Sequence, residues 1–577
     1  MAFVHKLHKC RRNAGADVAS ASFLVLVLIF SSVLPVSTRH AGPAVDASAI
    51  AAAAPSLSQS PRPRGQEEQA DQEETTTTSC PAALRSLPDA AARCRYLRSP
   101  HPPCAPRAYV PYLRAFYCAF GRAPALGAAA LALWLLLLFY LLGDTASRYF
   151  CASLEGLSAA LRLPPAIAGA TLLSLGNGAP DVLSSVVAFA SSDAGDVGLS
   201  GVLGGALFVS SVVAGVVAIA GAGAAVERSG FLRDVGFLLL ALCCLLAVLR
   251  SGAVTVWAAA AFLSLYAAYV LLVWTTHCCA SAAAEPDPED GNMKPAAAGD
   301  LACPLLADDA PAPPVSSSSK DTSRSLARRA LDLLRWPLDL PRRLTIPDIS
   351  AHRWSKPHAV ASTLLAPLLV GLATSPTSPA VLLSSALLGL ALAAAAARST
   401  DAAAPPASLR GRLPWLAGGF LMSVLWSYLL ARELVSLLVS IGLVAGVKAS
   451  VLGATVLAWG NSLGDLAADV AMAARGGARG GAQTAVSGCY AGPAFNTVVG
   501  LGLSLTMAAA GRFPTAYAVP ADASAYQAAG FLAAALVWAL VVLPARGMRL
   551  DRVLGGGLIA LYLAFLAVRL ATLGAVG

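Results

Sequence analysis

Two stretches of the sequence place an asparagine and an aspartate four residues apart in otherwise apolar surroundings. GNGAPD contains Asn177 and Asp181, and GNSLGD contains Asn461 and Asp465. Both lie in blocks long and apolar enough to cross a bilayer as helix. A carboxylate at membrane depth is costly unless it is paired, hydrated or bound to a cation. These residues therefore predict a functional site inside the membrane.

The side chains in these stretches offer oxygen atoms, which hard cations prefer as ligands. Ca²⁺ takes roughly six to eight oxygens from carboxylates, amides and carbonyls in flexible geometry. The Gly and Pro residues of GNGAPD interrupt a helix and would free backbone carbonyls for this purpose. The candidate ligands from the side chains are Asp181, Asp465, Asn177, Asn461 and Asn496. Three of the chain's five asparagines are in this set, which indicates selective placement.

Other polar residues near the motifs leave more than one interpretation open. Asp469 follows Asp465 by one helical turn and could be a further ligand, a proton acceptor or a group at a water-filled mouth. Asparagine in a membrane helix also serves as a hydrogen-bonding contact between helices, and glycine allows close packing. Cys489 is interpreted as a packing residue. For Glu433, beside Arg432, we expect an ion pair between these neighbours.

The two motifs belong to an internal repeat. GATLLSLGNGAPD, residues 169–181, and GATVLAWGNSLGD, residues 453–465, are identical at seven of thirteen positions. GVLGGALFV, residues 201–209, matches GCYAGPAFN, residues 488–496, less closely, and Val209 stands where the second copy has Asn496. The repeat therefore covers two consecutive helices in each half.

Apolar blocks predict about 12–13 membrane spans in an all-α polytopic membrane protein. The block 415–446 predicts either one long helix or two short ones. An odd number of crossings separates the two motif helices, so the repeat is inverted, an architecture typical of secondary transporters. The predicted spans are roughly 19–36, 123–143, 159–190, 199–225, 230–249, 253–275, 359–374, 378–397, 415–446, 449–474, 482–510, 527–545 and 553–575.

The domain organisation follows from these spans and from composition. Basic residues lie in alternate connections, which is the positive-inside pattern. The net charge of +9 therefore indicates how the chain is oriented in the membrane and does not indicate binding to nucleic acid. The predicted regions are a signal peptide or signal anchor (1–36), a luminal or extracellular segment (37–122), a first half (123–275, repeat 164–220), a cytosolic loop (276–358), two extra helices (359–397) and a second half (415–577, repeat 449–505).

The sequences of the luminal segment and of the cytosolic loop lead to further predictions. Four cysteines in the luminal segment, Cys80, Cys94, Cys104 and Cys118, suggest two disulfides, although free thiols and the pairing stay open. The cytosolic loop is rich in Pro and Ser. We favour a flexible tether for it over a regulatory or partner-binding role.

The motifs GNGAPD, AWGNSLGD and SGCYAGPAFN resemble the two alpha-repeats of the cation/calcium exchanger superfamily. They are most similar to the branch with plant cation/calcium exchangers and with mitochondrial-type and potassium-dependent sodium/calcium exchangers. The resemblance implies two inverted five-helix halves and Asp181 and Asp465 as central ligands. It also implies that Asn177, Asn461 and Asn496 are their neighbours, and that Gly178 and Ser462 occupy positions where relatives contact ions.

We therefore predict a secondary active antiporter, not an enzyme, that exchanges Ca²⁺ for Na⁺ and/or K⁺ by alternating access. It would need no cofactor, and its partners are inorganic cations and the lipid bilayer. The counter-ion stays open, because many sodium/calcium exchangers have Glu at the two central positions and Val209 lacks a side-chain oxygen. The alternative is an H⁺-coupled K⁺/Na⁺ or Mn²⁺ antiporter of the same fold.

Other classes fit the sequence less well. An intramembrane aspartyl protease also uses two aspartates, but neither motif contains the Gly-x-Gly-Asp signature of that family. A channel and a nontransporting sensor are further alternatives. The secretory route implied by residues 1–36 leads to the plasma membrane or to an endomembrane such as the vacuole, and the sequence identifies no protein partner.

Overall fold

The computed structural model describes twelve long helices. The described residues are 84, 86–99, 109–161, 174–191, 194–283, 337–350, 353–402, 404–406, 408–474, 481–520 and 522–574. The first half contains α1 (Pro124–Ala160), α2 (Ser174–Ala190), α3 (Gly195–Ala220), α4 (Arg228–Ser251) and α5 (Val256–Ala283). A helical pair, α6 (Lys356–Thr374) and α7 (Pro379–Ser399), follows. The second half contains α8 (Leu409–Ala445), α9 (Ala458–Ala474), α10 (Gly481–Ala510), α11 (Ala523–Ala545) and α12 (Arg552–Gly574).

The helices fit a multi-pass membrane protein. In the described part of the chain, ten helices are long and apolar enough to cross a membrane, namely all of these except α2 and α9. Those two are the 17-residue motif helices. The fold class predicted from the sequence, two five-helix halves plus extra helices, is confirmed. The predicted span 19–36 and the repeat residues 169–173 lie outside the described residues.

Each half begins with an unusually long helix of 37 residues. The block 415–446 is one helix, α8, rather than two short ones. In the first half α1 continues through 144–160, where the sequence predicted the end of a span at 143. In this part of the helix, Asp144 and Arg148, one turn apart, form an ion pair of 2.9 Å. A π-helical turn at Ala146–Cys151 connects the two α-helical parts of α1.

The motif helices lie at the centre of the molecule. Helix α2 packs against α3, α8 and α10, and its side chains from Val182 to Phe189 are all buried. Helix α9 packs against α3 and α10 and follows a short helix, Ala449–Leu452, and a π-helical turn, Gly453–Leu457. A helix that is buried on all sides belongs to a protein core. Side chains of α2 therefore face other helices of the protein.

The two halves interleave and are also joined by a small antiparallel sheet. Strand β1 (Ala253–Val254) pairs with β2 (Tyr517–Ala518), with Ala253 opposite Ala518. π-helical turns begin at Val209 in α3 and at Asn496 in α10, which are equivalent positions of the repeat. Such turns are frequent at functional sites.

A cap of residues 84, 86–99 and 109–119 covers one end of α1 and α8. Its helix Ala90–Leu97 is joined to the π-helical turn Ala115–Ala119 by a disulfide between Cys94 and Cys118. The cap packs through a cluster of apolar side chains that also contacts α1 and α8, namely Leu84, Leu97, Leu113, Phe116 and Tyr117. This is one disulfide of the predicted kind, and Cys80 and Cys104 lie outside the described residues.

The buried carboxylate of Glu433 connects the cap to α8. It accepts hydrogen bonds from the backbone N–H of Tyr109 and from the hydroxyl of Tyr112, both 2.6 Å. The neighbouring Arg432 guanidinium lies 4.6 Å from the centre of the Tyr109 ring, and its ion pair with Glu433 stays a prediction. The Tyr112 hydroxyl also accepts from Trp134 of α1 at 3.0 Å.

Candidate functional site

The carboxylate of Asp181 on α2 is held by two amides from the second half of the chain. Asn461 on α9 donates from Nδ2 to Oδ1 at 2.8 Å, and Asn496 on α10 donates from Nδ2 to Oδ2 at 2.6 Å. Asp181 is 7 % exposed. No basic side chain among the described residues forms an ion pair with it. The two halves thus meet around a buried carboxylate without a cationic partner.

Both amides leave an oxygen atom without a hydrogen bond. Each asparagine uses its nitrogen to donate to Asp181, and Oδ1 of Asn461 and Oδ1 of Asn496 are buried and unpaired. The hydroxyl of Ser462, which is fully buried, also lacks a hydrogen-bond partner. Buried polar atoms are almost always paired, so each exception calls for an explanation. A cation that binds oxygen would satisfy all three.

Glycine allows the helices to approach this carboxylate. A Cβ on Gly178 of α2 would lie 2.2 Å from Oδ1 of Asn496 and 2.8 Å from the Phe495 ring, so α10 can contact α2 here only because this residue has no side chain. A Cβ on Gly205 of α3 would lie 3.9 Å from both Asp181 oxygens and from Ser462 Oγ. Gly205 therefore forms a wall of the same small space. The sequence marked it only as a repeat position.

Prolines lie inside α2 and α10 close to residues of the site. Pro180 lies inside α2 and Pro493 inside α10, each a few residues before or after a site residue. Proline lacks an N–H, so a carbonyl one turn earlier loses its intrahelical partner. The π-helical turn that begins at Asn496 disturbs the regular bonding further. The motif helices nevertheless run without a break, α2 through Gly178 and Pro180 and α9 through Gly460, so the interruption predicted from the motif glycines and proline is wrong for the described residues.

Other predicted residues lie on α2 and α9, the helices that carry Asp181 and Asn461. Asn177 is exposed on α2, one turn before Asp181. Asp465 is partly buried on α9, one turn after Asn461. Asp469 is buried at 6 % exposure, and its Oδ2 lies 3.6 Å from the Sγ of Cys489, which donates to it. Cys489, interpreted from the sequence as a packing residue, is therefore also a weak donor to an acid.

Asp469 lies directly against the backbone of α10. A Cβ on Gly488 would lie 2.8 Å from the Asp469 Oδ1. No group of three or more His, Cys, Asp or Glu side chains suited to a metal ion is present in the part of the chain that the structure describes. The donors gathered at Asp181 are instead one carboxylate, two amides and a hydroxyl, a set of hard oxygen ligands.

Comparison with known proteins identifies the family of the chain. The sodium/calcium exchanger protein family matches residues 131–275 and 415–571, which contain both motif helices. The chain belongs to this family. Cation/calcium exchanger 1 of Arabidopsis thaliana is 44 % identical over 511 residues, covering 85 % of this chain and 89 % of that protein.

A more distant relative and a solved structure extend the comparison. The human mitochondrial sodium/calcium exchanger protein is 32 % identical over 541 residues, covering 83 % of this chain and 88 % of that protein. The crystal structure of the H⁺/Ca²⁺ exchanger CAX is 13 % identical, with a TM-score of 0.42, and covers 76 % of this chain and 82 % of that chain.

Proposed function

We propose that this family member is a secondary active antiporter that exchanges Ca²⁺ for Na⁺ and/or K⁺ by alternating access. The observation that carries the proposal is the buried Asp181 carboxylate, which within the described part of the chain accepts hydrogen bonds from two amides whose own oxygens are unpaired. A permanent structural carboxylate at this depth would be expected to have a cationic partner. A carboxylate that exchanges one cation for another must lack one.

The proposed ligands divide into a central set and a surrounding set. Asp181, Asn461, Asn496 and Ser462 form the central set, because both amides donate to Asp181, and the Asp181 oxygens lie with the Ser462 hydroxyl beside Gly205. Asp465 and Asn177 are the repeat-related mates of Asp181 and Asn461, and we assign them to the same pathway. Asp469 is proposed as a further carboxylate on it, and Gly178 as the residue that makes room for Asn496.

Alternating access follows from where these residues lie. The carboxylate belongs to the first half, whereas both amides and the hydroxyl belong to the second half. A movement of one half against the other would therefore change the cation's ligand shell and its exposure to each side. A carboxylate attracts a divalent cation more strongly than a monovalent one, because the electrostatic energy grows with the charge. Ca²⁺ and the counter-ion would therefore compete for one site.

The names of the relatives support Ca²⁺ as a transported ion. The plant relative is called a cation/calcium exchanger and the human one a sodium/calcium exchanger, which makes Na⁺ the first counter-ion to test. The proposed location is the plasma membrane or an endomembrane such as the vacuole. The Asp181 carboxylate bonds to two amides and not to a second carboxylate, so an aspartyl protease is not proposed.

Ca²⁺ uptake into reconstituted vesicles tests the proposal. Outward gradients of Na⁺, K⁺ or H⁺ are imposed one at a time, and the gradient that drives uptake identifies the counter-ion. We expect uptake with Na⁺ or K⁺, and its loss in Asp181→Asn and in Asp465→Asn. Asp401→Asn, at an exposed position outside the helices, is the matched control and should transport like the wild type. Uptake at the wild-type rate in both site variants would refute the site.

A further inference from the structure

Helices α9 and α10 come together at two levels, two helical turns apart. At the first level, Asn461 of α9 and Asn496 of α10 both donate to the Asp181 carboxylate. At the second level, Asp469 of α9 lies against Gly488 of α10, where a Cβ on the glycine would be 2.8 Å from the Asp469 Oδ1. The level between these two contacts is bordered by the residues midway along each helix.

A gap separates the two helices at this middle level. Residues one helical turn apart lie on the same face of a helix. Asp465 is midway between the two contacts of α9, and Gly492 is midway between those of α10, so both border the same space. A Cβ on Gly492 would have no heavy atom of the described residues within 4 Å. Unlike Gly178 and Gly488, this glycine therefore lies beside open space.

Asn177 of α2 lies at the same level as the gap. Helices α2 and α10 run side by side in the same direction. The bond between Asp181 and Asn496 is followed along both helices by a contact between Ser185 and Ser504, whose hydroxyl oxygens are 2.9 Å apart. Asn177 precedes Asp181 by one turn and therefore lies beside the gap.

The gap is accessible on one side of Asp181, whereas the helices are tightly packed on the other. At the level of the gap, Asn177 is exposed, and Asp465 and Gly492 are only partly buried. Past the gap, every residue of α2 from Gly178 to Phe189 and every residue of α10 from Pro493 to Leu505 is buried. Access to Asp181 along these helices therefore exists from one direction.

The accessible side is the one away from the cap. Leu443 and Val444, at the end of α8, pack against the apolar cluster of the cap. The short helix Ala449–Leu452 leads from there to α9. Helix α9 therefore runs away from the cap, and Asp465 lies farther from the cap than Asn461. Because the sequence predicts the cap to be luminal or extracellular, the gap would open toward the cytosol.

The chemistry of the gap suits a hydrated cation. A carboxylate at membrane depth needs a cation or water, and Oδ1 of Asn496, which is 8 % exposed and unpaired, lies at the inner end against Gly178. One carboxylate and one amide supply about three oxygens, so water would complete the six to eight that Ca²⁺ takes.

We propose that this gap is an entry chamber for the cation. Asp465 and Asn177 hold the cation, still partly hydrated, as it arrives from the side away from the cap, and the cation then passes to Asp181. This inference rests on the proposed antiport.

Labelling of Gly492→Cys from each side of the membrane tests the chamber. A charged, membrane-impermeant methanethiosulfonate is added to one side of vesicles of known orientation, and mass spectrometry of the peptide that contains position 492 gives the rate. We expect faster modification from the side away from the cap. Ser504→Cys, buried on the cap side of Asp181, should not react from that side. Ser86→Cys, exposed on the cap, reports where the cap lies.

Two results would overturn the chamber. One is modification of position 492 that is absent, equally fast from both sides or faster from the side of the cap. The other is modification of position 504 from the side away from the cap, because the packed layer would then not close the route.

Protection by Ca²⁺ tests whether the chamber holds the ion. At ten times the half-saturating concentration, Ca²⁺ should slow the modification of Gly492→Cys roughly tenfold, because about nine in ten chambers are then occupied. Adding Asp465→Asn should remove this protection. Adding Asp401→Asn, at an exposed position outside the helices, should preserve it. Protection that is absent in Gly492→Cys, or unchanged by Asp465→Asn, would show that the cation does not bind in the chamber.

Failure of the chamber and failure of the antiport give different results. If wild-type vesicles take up no Ca²⁺ with any gradient, the proposed antiport fails, although the rates at position 492 still show from which side the gap is reached. If a gradient drives Ca²⁺ uptake but position 492 does not react faster from the side away from the cap, the antiport stands and the chamber is wrong.

Discussion

Gly178→Ala tests the geometry of the site with the smallest possible change. The new methyl carbon would lie 2.2 Å from Oδ1 of Asn496, whereas real contacts of this kind are rarely closer than 3.0 Å. Asn496 would have to move by roughly an ångström, which breaks its 2.6 Å hydrogen bond to the Asp181 carboxylate. A hydrogen bond to a charged group contributes about 1.5–3 kcal/mol. The displaced Asn496 amide would also no longer present its oxygen to the cation, and loss of one such contact with a charge corresponds to a roughly 10- to 100-fold lower cation affinity.

The assay measures Ca²⁺ uptake into reconstituted vesicles at a series of external Ca²⁺ concentrations and gives the concentration for half-maximal uptake. We expect this concentration to rise 10- to 100-fold in Gly178→Ala, by the same estimate. Gly530→Ala is the matched control, because a Cβ at that position in α11 has no heavy atom within 4 Å. A half-maximal concentration equal to that of the wild type in Gly178→Ala would refute the close contact between α2 and Asn496.

Two further predictions concern the cap. Tyr112→Phe leaves Glu433 with a single donor and should lower the free energy of unfolding by about 1.5–3 kcal/mol, measured by thermal denaturation in detergent. Burial, and then the bond to Glu433, raise the pKa of the Tyr112 hydroxyl. The stabilisation is therefore present below the ordinary pKa of about 10 and lost only above the raised one. A difference from the wild type that disappears between pH 7 and 9 would contradict this. Cys94→Ser opens the disulfide to Cys118 and should cost about 2–4 kcal/mol; an unchanged unfolding temperature would count against a stabilising role.

The sequence predicted the helices well because their apolar blocks are strong local signals. It also placed Asp181 and Asn461 in equivalent helices, because the inverted repeat is visible without a structure. It could not predict that Asn461 and Asn496 would both bond to the same carboxylate. That pairing depends on how closely α2, α9 and α10 approach, and this distance is determined by residues such as Gly178.

Features that join distant parts of the chain were missed for the same reason. The end of α1 was placed too early, at 143, because the apolar block ends there and the ion pair between Asp144 and Arg148 is visible only in the structure. Arg342 appeared as one basic residue among many in a cytosolic loop. Only its partner on α1, almost 200 residues earlier, explains why it is buried. Patterns of single residues do not contain this information.

Direct Ca²⁺ binding tests the central claim, that the Asp181 carboxylate binds the transported ion. Purified wild-type protein and Asp181→Asn are titrated with Ca²⁺ in detergent by calorimetry, and their unfolding temperatures are compared without Ca²⁺. We predict saturable Ca²⁺ binding to the wild type and its loss in Asp181→Asn. The unfolding temperature of the variant should be at or above that of the wild type, because a buried unpaired charge is removed. Binding to Asp181→Asn with unchanged affinity would contradict it.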